Sequence, residues 1–210
     1  HGGRYAYGNQ PTITQWNLAR LAETLIPLVE GDDDTSIAAV TEVLETFDDR
    51  YRRAWVDGMG TKLGLPRPSA EEQALFGDLL DLLHAQRVDY TSTFRALAAS
   101  LRGDGAPIAD LFGGSGAPDH WAGRWRASLV ERSSDLPTVA DAMDAVNPVY
   151  VPRNHLVEEA LAAAVDGDLA PFEELMAKLR HPFDERPGAD RFARPAPASF
   201  TDTFQTFCGT

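Results

Sequence analysis

Cysteine is nearly absent from this chain: Cys208 stands alone, so no disulfide can close within it. That fits a reducing compartment, or a thiol whose partner lies elsewhere. Long apolar runs are missing too. No stretch approaches the roughly 18 uninterrupted apolar residues that a membrane-spanning helix needs. Basic charge is scarce, with 19 Lys and Arg against 32 Asp and Glu for a net charge of −13. Such a surface repels phosphate backbones and anionic lipid heads, which argues against nucleic acid or a membrane as the main partner. The alternating apolar and polar runs of half-buried strands are lacking. So are the basic head and apolar core of a secretory signal. The chain opens on His1 rather than Met, and the expectation is a piece cut from something longer.

What is present reads as a soluble globular protein. Hydrophobic residues make up 43% and charged residues 24% of 210 residues, enough for one large domain or two small ones with a real core. Helical periodicity dominates, and the expected fold class is all-α. Pro11 suits a first helical turn. Behind it Leu18, Leu21, Ala22, Leu25 and Val29 form an apolar stripe at three-to-four spacing. Gly31-Asp32-Asp33-Asp34 breaks that helix, with Asp34 or Thr35 as the next cap.

One second helix is expected to carry Ile37, Val40, Leu44, Phe47, Tyr51 and Trp55 on a single face. Gly58, Gly60, Gly64, Pro66 and Pro68 are expected to end it. Ser69-x-x-Glu72 reads as a capping box before Leu75, Leu79, Leu82 and Leu83. Further helices are expected over 91–101, 120–132, 139–146 and 155–165, and from Pro171 to about Arg180. Gly, Pro and Asp crowd 103–118, the best sub-domain boundary. The stretch from Pro182 is rich in proline and reads as extended chain draped over the helical body. The organisation expected is thus 1–102, 103–181 and an extended tail, 182–210.

Several constellations touch on chemistry, and most fall short. Gly113-Gly114-Ser115-Gly116-Ala117, with Asp119 and His120 nearby, approaches a nucleophile elbow, but that motif needs a strand before the serine and a glycine where Ala117 stands. No Gly-Lys-Ser/Thr follows, so the glycines are not a phosphate-binding loop. His155 with Glu158 and Glu159 has helical metal-site spacing, yet the matching set from a second helix is not evident. Asp32-Asp33-Asp34 lacks the glycine and closing glutamate of a calcium loop. Arg124, Arg126 and Arg132 around Trp121 and Trp125 fit amphipathic packing with the arginines outward. Cys208, third from the C-terminus, is either a small apolar group or a reactive thiol.

A set of segments carries a family resemblance. They are Gly3-Arg4-Tyr5-Ala6-Tyr7-Gly8-Asn9-Gln10-Pro11 with Trp16-Asn17-Leu18, then Met59-Gly60-Thr61-Lys62-Leu63-Gly64-Leu65. Val88-Asp89-Tyr90-Thr91-Ser92-Thr93-Phe94-Arg95 and Trp121-Ala122-Gly123-Arg124-Trp125 follow. Asn147-Pro148-Val149-Tyr150-Val151-Pro152-Arg153-Asn154 and Leu179-Arg180-His181-Pro182-Phe183-Asp184 complete the set. In this order they resemble the selenoprotein O (SelO) family of kinase-fold protein adenylyltransferases.

The resemblance implies transfer of AMP from ATP, with Mg²⁺, onto Ser, Thr or Tyr hydroxyls of protein substrates. It implies a kinase-like fold of which this chain is the helical C-terminal half with extra C-terminal helices. The nucleotide and metal ligands would lie upstream, in a missing N-terminal catalytic half, and the chain alone is expected to be inactive. Arg4, Tyr5, Tyr7, Asn9 and Gln10 would help shape an activation segment or substrate groove, or else fix the entry into the Pro11 helix. Cys208 would sit where family members carry a redox-active Cys or selenocysteine, although the ending here is Cys-Gly-Thr rather than Cys-Ser-Ser. The compartment implied is cytoplasmic for a bacterial member and mitochondrial for a eukaryotic one. The alternative is a free-standing acidic helical module that binds a protein partner.

Overall fold

The computed structural model of the chain describes residues 7–205. Among the described residues every regular element is helical, as expected. The chain divides into two compact units, His1–Gly58 and Met59–Thr210.

The first unit contains a 3-10 turn over Tyr7–Asn9, helix α1 over Gln10–Leu25, a second 3-10 turn over Ile26–Leu28, and α2 over Asp33–Glu45. Helix α3, Phe47–Lys62, begins here. Pro11 occupies the first turn of α1, where its missing N–H has no carbonyl to meet. The cap of α2 is Asp32, not Asp34 or Thr35: its Oδ1 accepts from the Thr35 amide at 2.9 Å. The single helix expected over 35–57 is two helices. Thr46 breaks it, its hydroxyl donating back to the Val43 carbonyl at 2.7 Å in place of a continuing ladder. Glycine does not end α3, which runs through Gly58 and Gly60 to Lys62.

The apolar stripes of this unit are formed but uncovered. No residue of α1 is buried, and α2 buries only Ser36, whose hydroxyl donates to the Val29 carbonyl. Leu21 is 52% exposed and Val43 67%. Between α1 and α2 runs a groove of about 500 Å³ lined by Leu18, Leu21, Leu25, Val40, Leu44 and Phe47.

The second unit holds the core. Helix α4 spans Ala70–Gln86, α5 Tyr90–Leu101, α6 Ala106–Leu111, α7 Asp119–Arg132 and α8 Leu136–Asp144. Helix α4 packs on α7, and α5 packs on both α6 and α8. Phe76, Leu79, Phe94, Leu97, Trp125, Leu129 and Met143 are sealed from solvent. The capping box is complete: Ser69 Oγ accepts from the Glu72 amide, and Glu72 Oε2 accepts from the Ser69 amide at 2.7 Å. Glu72 is also held by Arg132, which donates Nε to its Oε1 at 2.6 Å. Burial pushes the Glu72 carboxyl up, but the Ser69 amide and Arg132 outweigh it and its pKa lies below the ordinary value.

Both buried indoles find backbone acceptors. Trp121 Nε1 donates to the Leu75 carbonyl and Trp125 Nε1 to the Leu63 carbonyl, each at 2.9 Å. Helix α8 starts earlier than expected because Asp135 caps it through the Thr138 amide. The Gly-rich stretch 103–118 contains α6 rather than loop alone.

A smaller core follows. Helix α9, Asn154–Val165, pairs with α10, Ala170–Leu179, and buries Leu156, Ala160 and Leu175 with Val149, Tyr150, Ala189 and Phe192. The stretch from Pro182 is therefore not simply extended. It forms two short helices, α11 over Asp190–Ala193 and α12 over Ala198–Thr201, and Phe192 enters this core.

Gly60 and Gly58 give opposite expectations from one helix. A Cβ on Gly60 would lie 2.5 Å from the Leu65 carbonyl oxygen, backbone that cannot step aside, whereas nothing lies within 4 Å of one on Gly58. Gly60→Ala should lower the thermal midpoint by the equivalent of about 1–3 kcal/mol, the usual cost of overpacking. Gly58→Ala should raise it, by up to about 1 kcal/mol, through helix propensity. Thermal melts of the two variants check the sign of each.

Candidate functional site: the Asp89–Arg153 clasp

The segment between α8 and α9, residues 147–153, ties the second unit together. Asn147, 1% exposed, ends the α8 region and spends its whole amide on the interior. Its Nδ2 donates to the Lys62 and Met143 carbonyls, both at 2.9 Å, and its Oδ1 accepts from Lys62 Nζ at 2.8 Å. That ammonium also lies 4.5 Å from the Phe94 ring centroid and 5.7 Å from that of Tyr90. Ring faces and an amide oxygen thus hold it in place of a carboxylate. Burial lowers the Lys62 pKa. Further along, the Val149 and Tyr150 amides both donate to the Pro182 carbonyl, and the Arg186 amide donates to the Tyr150 hydroxyl.

Arg153 closes the arrangement. Its Nη1 and Nη2 donate to Asp89 Oδ2 and Oδ1 at 2.9 and 3.0 Å, a two-pronged pair. Nη2 also reaches the Ala193 carbonyl at 3.0 Å and the Ser92 hydroxyl at 3.4 Å. The Arg153 side chain is only 9% exposed. Asp89 is at the same time the cap of α5, accepting from the Ser92 amide and hydroxyl at 2.8 and 2.6 Å. Burial pushes its carboxyl up, but the hydrogen bonds from Arg153 and Ser92 and the Arg153 charge outweigh it, so the pKa is below the ordinary value. Asp89 is therefore a fixed anion, unsuited to carrying a proton near neutrality.

Beside the clasp, His155 packs edge-on to Phe200 at 5.9 Å, and Phe200 stacks on Phe204 at 4.7 Å. Burial, then the Arg153 and Arg191 charges against Glu159, lower the His155 pKa. A cavity of about 780 Å³ lies over the clasp, with Arg87, Asp89, Asp110, Arg153, Asn154 and Asp202 on its walls. A neighbouring one of about 600 Å³ is lined by Arg95, Arg102 and Asp144, and both arginines pair with Asp144.

The sequence-expected sites separate cleanly. Arg4, Tyr5 and Cys208 lie outside the described residues, as does the side chain of Tyr7, whose backbone is in the Tyr7–Asn9 turn. Asn9 precedes α1 without a side-chain cap bond, and Gln10 is its first residue. No strand precedes Ser115, which is exposed and accepts only a long 3.4 Å bond from the Ala117 amide, so the nucleophile elbow is not built. Glu159 pairs with Arg191 rather than joining His155 at a metal. Among the described residues no group of three or more His, Cys, Asp or Glu is placed to hold a metal ion. The arginines around the tryptophans point outward into pairs, Arg124 with Asp78 and Arg132 with Glu72. Sequence reasoning passed over Lys62, Asp89, Asn147 and Arg153 as a group, although all four sit in the segments that carry the family resemblance. They lie 64 to 85 residues apart where they touch, beyond any local periodicity.

Comparison with known proteins completes the picture. The family model described as protein adenylyltransferase SelO matches residues 1–180. A protein nucleotidyltransferase YdiU of Rhodococcus jostii is 50% identical over 213 residues, covering 100% of this chain and 40% of the relative. That of Mycolicibacterium paratuberculosis is 50% identical over 99% of this chain and 42% of its own length. That of Chromobacterium violaceum is 48% identical over 100% of this chain and 44% of its own length. The chain thus spans about two-fifths of the relatives it matches.

Removal of either partner of the clasp should be costly. Arg153→Ala leaves the Asp89 charge half-buried without its counter-ion and should lose about 3–5 kcal/mol in urea unfolding. Asp89→Asn tests the charge by pH. A carboxyl whose folded pKa is depressed stabilises the fold above its unfolded value, and that stabilisation fades as pH falls through the folded one. The gap in urea midpoint between the native protein and Asp89→Asn should be widest near about pH 7 and shrink towards about pH 3. A constant gap would show that the lost hydrogen bonds, not the charge, set the cost.

Proposed function

Because the chain belongs to the SelO family of protein adenylyltransferases, we propose that it is the helical C-terminal part of an enzyme that transfers AMP from ATP to Ser, Thr or Tyr hydroxyls of proteins. In this reading residues 1–102 are the later helices of a kinase-like lobe, 103–181 a helical extension, and 182–210 a tail whose Cys208 pairs with a cysteine elsewhere in the protein. The remaining length of the enzyme, not this chain, holds ATP and Mg²⁺, and the chain alone transfers nothing.

The open apolar groove of the first unit carries the proposal. Two amphipathic helices that bury no apolar side chain gain little from packing, and helices of 16 and 13 residues are marginal on propensity alone. In this reading Leu18, Leu21, Leu25, Val40, Leu44 and Phe47, which line the groove, are one face of a core completed elsewhere in the enzyme. The pairing of the carboxylates around the clasp supports placing the magnesium nucleotide elsewhere in the enzyme. Asp89 is committed to Arg153, Glu72 to Arg132, and Asp144 to Arg95 and Arg102. A metal that must neutralise developing phosphate charge needs carboxylates free of such partners. No catalytic step is therefore assigned to this chain, whose part is to support the lobe that performs it.

Purified chain, ATP, Mg²⁺ and a test protein, with and without the upstream part, decide the matter by the mass of an added AMP. Transfer by the chain alone would overturn the proposal, and so would no transfer by the two parts together. Val43→Asp in the groove should leave the chain's own stability nearly unchanged, since the side chain is already 67% exposed. The same variant should cut recovery of activity with the upstream part by at least about tenfold, the cost of placing a carboxylate in a buried apolar contact.

A further inference from the structure

The α9–α10 hairpin is covered at one end and bare at the other. At its base Leu156, Ala160 and Leu175 are buried with Val149, Tyr150 and Phe192. At its tip the turn is well formed. Gly167 takes a positive φ of 87°, the Asp168 amide donates to the Ala163 carbonyl at 2.9 Å, and Asp168 Oδ1 accepts from the Ala170 amide. Yet Leu161 is 53% exposed, Val165 86%, Leu169 53% and Phe172 45%. Four large apolar side chains exposed over residues 161–172, from the last turns of α9 into α10, exceed the scattered exposure that any surface shows.

Charge at the tip has one sign. From Leu161 to Glu174 there is no Lys, Arg or His, while Asp166, Asp168, Glu173 and Glu174 all fall within the stretch. Glu174 is near enough to raise the Arg191 pKa, which leaves Asp166, Asp168 and Glu173, all exposed, as the rim of the apolar tip. We infer that this tip is a docking surface for an amphipathic helix of another protein that carries Leu-type residues on one face and Lys or Arg along its edges. Apolar anchors supply the affinity, and the carboxylate rim selects a basic partner and speeds its approach. A second copy of this chain is a poor occupant, because it would set the same carboxylates against each other on a protein of net charge −13.

The test uses the chain itself and a synthetic Leu/Lys amphipathic helical peptide, followed by fluorescence anisotropy. A scrambled peptide of the same composition and a Leu/Glu amphipathic peptide serve as comparators. The Leu/Lys peptide should bind at least about tenfold more tightly than either, and its binding should weaken with salt without vanishing. The double variant Val165→Asp/Leu169→Asp should weaken it at least about tenfold at an unchanged melting temperature. Asp166→Lys/Glu173→Lys should weaken the Leu/Lys peptide and admit the Leu/Glu one. Equal binding of the scrambled peptide, indifference to the tip variants, or loss of binding on Val43→Asp in the first-unit groove would each overturn the inference. A dimer on gel filtration that the Val165→Asp/Leu169→Asp variant dissolves would overturn it in favour of self-association. Failure of the full-length parent to bind the peptide would show that its own remainder covers the tip, and would also overturn it.

Discussion

Arg153 and Asp89 carry more of this structure than any other pair. Asp89 caps α5 through Ser92, and the same carboxylate receives both prongs of the Arg153 guanidinium. Arg153 then reaches the Ala193 carbonyl at the end of α11, so one ion pair fixes the start of a core helix, the 147–153 segment and the stretch beyond Pro182. Lysine could not do this, because a point charge has no planar fork to span two oxygens and a carbonyl together. Burying charge is costly, and an apolar replacement of similar volume is often no less stable. What the pair secures is register: three segments distant in sequence can meet in only one way.

The segments that carry the family resemblance are largely one network. Met59 to Leu65 supplies Lys62 and the Leu63 carbonyl that Trp125 needs. Asn147 takes up Lys62, Pro182 receives the Val149 and Tyr150 amides, and Arg153 takes up Asp89. The Asp89 carboxylate and the Lys62 ammonium are held by these partners, while Arg153 Nε is buried without one.

Local rules made part of the fold legible. The Ser69 and Glu72 pair announced its capping box, Pro11 its helix start, and Trp121, Trp125 and Leu129 their buried face. Other boundaries were decided by forces that local rules weigh poorly. Glycine normally weakens a helix, yet Gly60 stays inside α3 because the Leu65 carbonyl approaches too closely for any side chain. Thr46 gives no Gly or Pro signal, yet its hydroxyl turns back to Val43 and splits the helix. The clasp was out of reach for a different reason. Asp89 and Arg153 are 64 residues apart, and neither residue alone differs from an ordinary cap or surface arginine. Arg4, Tyr5 and Cys208, where the resemblance placed its chemistry, are outside the described residues.

Two uncovered apolar surfaces remain, and their charge distinguishes them. The groove of the first unit is apolar nearly throughout, with Arg50 its one charged wall residue. A surface of that kind cannot choose among partners by charge, which suits the permanent apolar contact proposed for it. The tip of the α9–α10 hairpin has instead a few anchors inside a rim of carboxylates. That pattern suits an exchangeable partner, since rim charges tune encounter and selectivity while a small apolar centre keeps affinity modest. Exposed hydrophobicity is therefore two different observations in this chain. One is a groove with almost no charge to select what covers it; the other is an apolar tip whose acidity disfavours anionic partners and favours basic ones.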